Sequence, residues 1–501
     1  MNNRGAGHLY VVHGRMGSLD VDAKVIPTDG YFSVMGYWHD ITGDPEQARP
    51  AGWPTDNGYA VSQVNPSVWF INVFQRRKGT GFRLGDRVRQ LVSEIARSGL
   101  RPTESRSTLR IAVPVLGIGR GGMGARRGEA LDVLLRALWD SVRTVGVDIV
   151  LVTPDPAVFG AAQYRRRTIA ESGTGSLPWG LSAPALAEAK RLGVLARDGH
   201  LALFLGAGVS MAAGLPDWDG LLTRIAERTK QDYGQVKALG SLDAAELLKR
   251  DSDQRQIGEL VRDIIGKPKK IALAHGILAG FDAQETITTN YDALFELAVE
   301  QAGRTTPTVL PWEPAEVGRP WLLKLHGDLQ RADSIVLTRR DFVLFDARSR
   351  PAGSLLQATL MTRHLLIVGT SLADDNVIRL AMEVDDYLRR NGVRSAQGTF
   401  IDVSGKAARQ RLWSEQFHWH VCEGEDITQR VRQMEIFLDV AAAYAARNAS
   451  WLLDPRFEGL LSDSEQRVTA KVRSALAQVP DADSGLLVPL KEIREQLGGA
   501  G

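Results

Sequence analysis

Among 501 residues there is a single cysteine, Cys422. One thiol cannot close an internal disulfide and cannot supply a four-cysteine zinc ribbon, and such scarcity suits a reducing compartment. No apolar run reaches the ~18 residues that a membrane-crossing helix needs. The opening MNNRGAGHLYVV lacks the long apolar core of a secretory signal. Excess charge is missing too: 61 Lys and Arg against 59 Asp and Glu leave a formal net charge of +2, so no bulk field draws the chain to nucleic acid. Internal repeats and low-complexity tracts are absent. A 44% hydrophobic and 24% charged chain of this length reads as a soluble cytoplasmic protein of two or three domains, each with its own core.

The stretch that organises the chain is residues 200–222, HLALFLGAGVSMAAGLPDWDGLL. Residues 201–205 form an apolar run short enough for a buried strand of a parallel sheet. The run breaks into Gly206, Ala207 and Gly208, then Ser210 and the small patch Ala212, Ala213 and Gly214. Small residues let main-chain N–H groups approach a ligand, and a following helix N-terminus favours phosphate. A plain tight turn fits the same glycines. Pro216, Asp217 and Trp218 then open a segment with helical spacing.

Three later runs end in polar residues. Residues 285–292 close on Asn290, Tyr291 and Asp292; residues 321–325 run into His326, Gly327 and Asp328; residues 365–368 run into Gly369, Thr370 and Ser371, with Asp374, Asp375 and Asn376 behind. A last strand over 399–403 carries Asp402. Each is ambiguous singly, since Asn290, Thr370 and Ser371 are good helix caps and a lone His is often structural. Jointly, parallel strands ending this way bring their polar groups to one edge of one sheet, where open α/β sheets bind ligands.

The first part has its own pattern. Residues 8–13 and 22–27 read as strands, 40–66 as a long surface excursion, 67–74 as a strand, 86–98 as a helix and 110–116 as a buried strand. That strand runs into Gly117, Ile118, Gly119, Arg120, Gly121 and Gly122, followed by a helix over 129–142 and a strand over 148–153. Strand, glycine loop, helix, strand can hold a diphosphate on main-chain N–H groups, with Arg120, Arg126 and Arg127 as cationic donors beside it. A surface loop with solvated arginines is the plain alternative.

Two resemblances follow from these residues. VVHGRMGSLDVDAKVIPTDG, VPVLGIGRGG and IVLVTPDPAVFGAAQYRR, across about residues 8–167, resemble the macro domain, an α/β/α module that binds ADP-ribose. Arg15 and Pro27-Thr28-Asp29 depart from that family's usual residues, so the resemblance implies a binding module of altered ligand preference. GAGVS with GLPDW, TTNYD, KLHGD and VGTS, in that order over about residues 190–425, resemble the sirtuin fold. Deacetylating sirtuins carry a four-cysteine zinc ribbon between the last two motifs, and this chain has no cysteine there, so no zinc or other metal site is expected. Zinc-less sirtuin-like proteins of bacterial antiphage systems are associated with NAD hydrolysis, and the two halves together resemble the Thoeris type of defence effector.

The fold class is therefore α/β: a macro-like domain over 1–170, a linker over 171–184, a sirtuin-like Rossmann-type parallel sheet with a helical insert over 185–447, and a helical C-terminal appendix over 448–501 that serves packing or oligomerisation. The sirtuin resemblance implies NAD as substrate. It implies Asn290 and His326 as catalytic residues with Asp292 as their buttress. Gly206, Ala207, Gly208 and Ser210 would cradle the diphosphate, Asp217 would lie near the nicotinamide, and Gly369, Thr370, Ser371 and Asp402 would meet the adenosine side. The Thoeris resemblance implies an ADP-ribose-derived signalling nucleotide, bound at the macro-like loop of residues 117–122, and a partner protein of a defence system that makes it; a homo-oligomer is also expected. The rival expectations are a protein ADP-ribosyltransferase joined to an ADP-ribose reader, and a non-catalytic nucleotide-binding adaptor.

Overall fold

Two sheets account for thirteen strands in the computed structural model, which describes residues 7–74, 84–119, 123–172, 179–251, 257–479 and 487–499. Internal contacts divide the chain into two compact units, residues 1–193 with 436–501, and residues 194–435. Among the described residues no helix is long and apolar enough to cross a membrane.

The first unit is built on β1 (Leu9–His13), β2 (Ala23–Thr28), β3 (Tyr59–Val61), β4 (Val68–Asn72), β5 (Arg110–Pro114) and β6 (Asp148–Thr153), in the order β1-β6-β5-β2-β4-β3. All neighbours are parallel except β3, which pairs antiparallel to β4 at the edge. The excursion over 40–66 thus contributes that edge strand as well as loop. Val88, Leu91, Val92 and Ile95 of the helix Leu84–Arg97 form the buried stripe that their spacing dictates.

The C-terminal segment is integral to this unit. Trp451, Phe457, Leu460 and Leu461 belong to the same apolar core as β1, β5 and β6. A Cβ on Gly128 would meet the Phe457 main chain at 2.8 Å, so glycine lets the helix Arg127–Val145 approach that closely. Asp439, fully buried, accepts from His8 Nε2 at 2.8 Å and Arg166 Nη1 at 2.6 Å. Arg166 also donates to the Leu9 carbonyl and lies over the Trp179 ring. A buried charge that is paired and hydrogen-bonded in this way avoids most of the cost of desolvation.

The second unit holds β7 (Leu201–Leu205), β8 (Glu285–Thr288), β9 (Thr308–Leu310), β10 (Trp321–Lys324), β11 (His364–Val368), β12 (Gly398–Asp402) and β13 (Phe417–Val421), in the order β13-β12-β11-β7-β8-β10-β9. Every pairing is parallel. The strand over 398–402 is not the last, since β13 follows it, and β9 is a further strand that the sequence pattern does not show. Both are edge strands. β13 alternates polar residues that stay partly exposed, and β9 has only three residues, so neither shows the continuous apolar run of β7. From β7 the chain builds outward to β8, β10 and β9, then crosses back to β11, so the topological switch lies between β7 and β11.

The helices Trp218–Arg228, Ser241–Arg250 and Ile257–Ile265 form a core of their own around Leu222, Ile225, Leu248 and Val261. Tyr291, Leu329, Ile335 and Leu337 enter that core from loops that follow β8 and β10. The second and third of these helices, in the helical insert, flank residues 252–256, which lie outside the described ones.

Candidate functional site

Four strands that are neighbours in the sheet, β11-β7-β8-β10, end in the four polar motifs. Because all run parallel, their C-terminal ends share one edge, and a cavity of about 790 Å³ opens there. That volume suits a dinucleotide-sized ligand rather than a water cluster. Every residue expected of the second unit lines it: Gly206, Ala207, Gly208, Ser210, Asp217, Asn290, Asp292, His326, Gly369, Thr370, Ser371 and Asp402.

The glycines have a structural reason first. Gly206 and Gly208 donate main-chain N–H groups to the Val368 and Gly369 carbonyls, at 2.9 and 2.8 Å. A Cβ on Gly206 would stand 2.6 Å from the Gly369 oxygen, and one on Gly369, at φ +73°, would stand 2.6 Å from the Val209 nitrogen. Only glycines let the loops after β7 and β11 close on each other at the switch point. Leu372 lines the cavity with φ +46°, a left-handed conformation rare for a branched side chain.

Asn290 is held by its neighbours. Tyr291 is buried in the insert core, and its hydroxyl donates to the Val336 carbonyl at 2.8 Å. On either side of it in the chain, Asn290 and Asp292 both reach Ser210: Asn290 Nδ2 donates to Ser210 Oγ at 3.2 Å, and Ser210 Oγ donates to Asp292 Oδ2 at 3.0 Å. Asp292 Oδ1 accepts from the Leu294 amide at 2.9 Å, so Asp292, not Asn290, caps the turn into the next helix. Asn290 Oδ1 is buried and without a hydrogen-bond partner.

His326 is fixed from three directions. Its carbonyl accepts from the Val336 amide at 2.8 Å, its ring packs edge-on to Phe342 with centroids 5.2 Å apart, and Nε2 lies 2.7 Å from Asp374 Oδ2. Gly327 follows at φ +101°, where a Cβ would stand 2.3 Å from the Ser334 carbonyl oxygen. Nδ1 of His326 is buried and unpartnered. Asp374 also caps the helix Asp375–Arg390, accepting from the Asn376 and Val377 amides at 2.9 and 3.0 Å. Burial alone would raise its pKa, but His326 and those two amides hold the carboxyl below its ordinary value. The cap of this helix is therefore Asp374 rather than Thr370 or Ser371.

Asp292 touches the Ser210–Asn290 side of the site, whereas Asp374 partners His326. Behind both, Lys324 is fully buried, with Nζ 2.8 Å from Glu296, 2.7 Å from Asp328 and 2.8 Å from the Asp292 carbonyl. Burial pulls this lysine down, and the two carboxylates outweigh it and hold the pKa above the usual value.

Asp217 is exposed and caps the helix Trp218–Arg228, accepting from the Gly220 amide at 2.8 Å. Asp402 is buried with both oxygens engaged, Oδ1 by Ser404 and the Gly405 amide and Oδ2 by Trp419 Nε1 at 3.1 Å. Trp218 of the GLPDW motif, whose Nε1 is buried without a partner, and Phe342, which lies outside the motifs, supply an aromatic wall.

In the first unit, Gly117, at φ +82°, Ile118 and Gly119 follow β5, a strand paired on both sides. Arg120, Gly121 and Gly122 lie outside the described residues. Arg126 pairs with Glu129 at 3.0 Å and Arg127 with Asp155 at 3.6 Å, so carboxylates already compensate these two cations. Of the expected linker, residues 171 and 172 end the helix Pro156–Ser172, and 173–178 lie outside the described residues.

Residues 284–421 match a family described as SIR2-like domain, a span that begins at β8 and includes the Asn290, His326 and Gly369 loops. The chain is 28% identical over 209 residues to the NAD(+) hydrolase ThsA of Enterococcus faecium, covering 40% of this chain and 43% of that one. It is 29% identical over 196 residues to the NAD(+) hydrolase ThsA of Bacillus cereus (strain MSX-D12), covering 38% and 41%. It is 25% identical over 192 residues to Defense-associated sirtuin 2 of Bacillus subtilis, covering 36% and 19%. The chain therefore aligns with about two fifths of the length of these hydrolases. A solved structure, the Oceanobacillus iheyensis macrodomain mutant D40A, is similar at 14% identity with a TM-score of 0.26, covering 34% of this chain and 97% of that one.

Proposed function

We propose that this chain is an NAD⁺ hydrolase that cleaves the nicotinamide–ribose bond and acts as an antiphage-defence effector by depleting NAD. The observation that carries the reading is a pair of buried, unpartnered polar atoms, Asn290 Oδ1 and His326 Nδ1, on residues lining one cavity at the switch point of a parallel sheet. Buried polar atoms in native proteins are satisfied, and a ligand with hydroxyl groups and a water would satisfy these two. The SIR2-like match over 284–421 and the similarity to proteins named NAD(+) hydrolase support NAD as that ligand.

The chemistry asks little of the protein in protons. As the C1′–N bond breaks, its electron pair returns to the nicotinamide ring and positive charge develops on the ribose. The leaving group departs neutral and needs no acid. The site has to hold NAD in a reactive geometry, stabilise the oxocarbenium-like centre and deliver water. Asn290 Oδ1 takes the role of orienting the ribose and the attacking water. His326, with Nε2–H donating to Asp374, keeps Nδ1 as the acceptor for a ribose hydroxyl or for the proton that water releases. The loops of Gly206, Ala207, Gly208 and Ser210, and of Gly369, Thr370 and Ser371, take the diphosphate and adenosine. Asp217 stands toward the nicotinamide end and Asp402 toward the adenosine end.

We place the control of this activity in the first unit: an ADP-ribose-derived nucleotide, made by a partner enzyme of the defence system, binds the loop of residues 117–122 and favours the active assembly, a homo-oligomer. A ligand shifts such an equilibrium only by its differential affinity for the two states. NAD carrying label in its adenylate half tests the reaction. Label recovered only in free ADP-ribose supports hydrolysis, and label retained on protein replaces it with the transferase reading.

A further inference from the structure

Ser210 is the junction at which the site is oriented, and a histidine outside every motif sets its polarity. His275 belongs to the helix Leu273–Ala279, all of whose residues are buried. Its Nε2 lies 3.2 Å from Ser210 Oγ, and its Nδ1 accepts from the Ala272 amide at 3.2 Å.

A serine hydroxyl has one hydrogen and two lone pairs. The hydrogen goes to Asp292 Oδ2, because a carboxylate only accepts. Both other partners of Ser210 must then donate. A neutral His275 whose Nδ1 accepts from Ala272 carries its proton on Nε2, and it donates to Ser210. The remaining lone pair of Ser210 requires the Nδ2 end of Asn290. Each bond fixes the sense of the next, and the outcome is that Asn290 presents Oδ1, not Nδ2, as its free atom. With the opposite tautomer, Nε2 would compete with Asp292 for the one hydroxyl hydrogen, and the hydroxyl orientation that turns a lone pair to Asn290 Nδ2 would no longer be singled out.

We propose that His275 is a positioning residue of the site: by donating Nε2–H to Ser210 it leaves the hydroxyl hydrogen to Asp292, and the hydroxyl so oriented holds the carboxamide of Asn290 as the reaction uses it. This rests on the hydrolase reading for its kinetic consequence but not for its geometry. Burial also lowers the His275 pKa to about 4 against the opposing pull of Asp292, so the ring stays neutral near pH 7.

Two substitutions separate the roles of the two ring nitrogens. In His275→Asn the amide oxygen takes the place of Nδ1 and keeps the bond to Ala272 but loses the donor to Ser210. His275→Gln keeps a donor at the Nε2 position and loses the bond to Ala272. The expected result with the full chain is a kcat about 10²-fold lower in His275→Asn at nearly unchanged KM, recovery to within about threefold of wild type in His275→Gln, and a loss in Ser210→Ala that His275→Asn does not deepen. A purely structural histidine gives the reverse order, and His275→Asn at wild-type kcat overturns the proposal. ¹⁵N-imidazole spectra of the wild-type protein, with His275 identified by its loss in either variant, decide the matter independently of turnover. A neutral ring protonated on Nε2 at pH 7 is expected, and a ring protonated on Nδ1, or a cation, overturns the proposal. Wild-type protein that consumes no NAD would defeat the hydrolase reading while the spectra still answer for His275.

Discussion

His326 Nε2 and Asp374 Oδ2 stand 2.7 Å apart, and the same aspartate caps the helix that begins one residue later. One carboxylate thus ties the histidine two residues beyond β10 to the loop that follows β11. It accepts from Nε2–H and leaves Nδ1 without a partner. Fixing a base's tautomer through a carboxylate is worth several powers of ten where it has been measured in other enzymes.

Asp374→Asn separates that role from the cap. Asparagine caps helices about as well as aspartate, so the melting temperature should move little, while the lost carboxylate no longer selects the tautomer. NAD turnover is expected to fall about 10²- to 10⁴-fold. Turnover within a few-fold of wild type would remove His326 from the chemistry.

Gly206→Ala tests the loop contact at the switch point. The added methyl has no room beside the Gly369 carbonyl and Thr370, at 2.6 and 2.8 Å. Denaturant titration should show about 1–3 kcal/mol of lost stability, as for other overpacked positions. Calorimetry should show weaker NAD binding. Unchanged binding would mean that the two loops do not shape the ligand site.

Asp439→Ala should destabilise the first unit by about 3–5 kcal/mol, because Arg166 and His8 lose their shared partner in the interior. The pH dependence has a definite sign. Burial lowers the His8 pKa from its ordinary 6.5, so stability is complete above about pH 6.5 and declines below it, as the unfolded chain takes up a proton that the folded one resists. Burial would raise Asp439, but Arg166 and His8 outweigh it and hold its carboxyl below 3.8, so its contribution is lost only at still lower pH. Urea midpoints between about pH 8 and pH 5 check the first window. A flat profile there would contradict a neutral buried His8.

The fold was legible where strands are apolar on both faces. β7 and β6 match the expected 201–205 and 148–153 residue for residue, since a buried parallel strand declares itself as a short uninterrupted run. Edge strands β3, β9 and β13 do not, because β3 and β9 are only three residues long and β13 alternates polar residues that stay partly exposed. The site was legible for a related reason: GAG-S, TNYD, HGD and GTS end four strands that turn out to be adjacent. Asp374 was visible only as one of several polar residues behind the GTS motif, and nothing in the chain's order links it to His326. His275 sits inside a fully buried helix, where a lone histidine gives no periodic signal at all. In the sequence the glycines read as room for a ligand; in the structure their first use is room for each other.

The most direct test of the central claim is NAD consumption by the purified chain, wild type beside Asn290→Ala and His326→Ala, with and without ADP-ribose-type ligands. The expected result is release of nicotinamide and ADP-ribose in equal amounts by wild type, raised by ligand, with both variants slower by about 10²-fold or more and folded as wild type. Hydrolysis undiminished in both variants would contradict the assignment of the cavity as the reaction site.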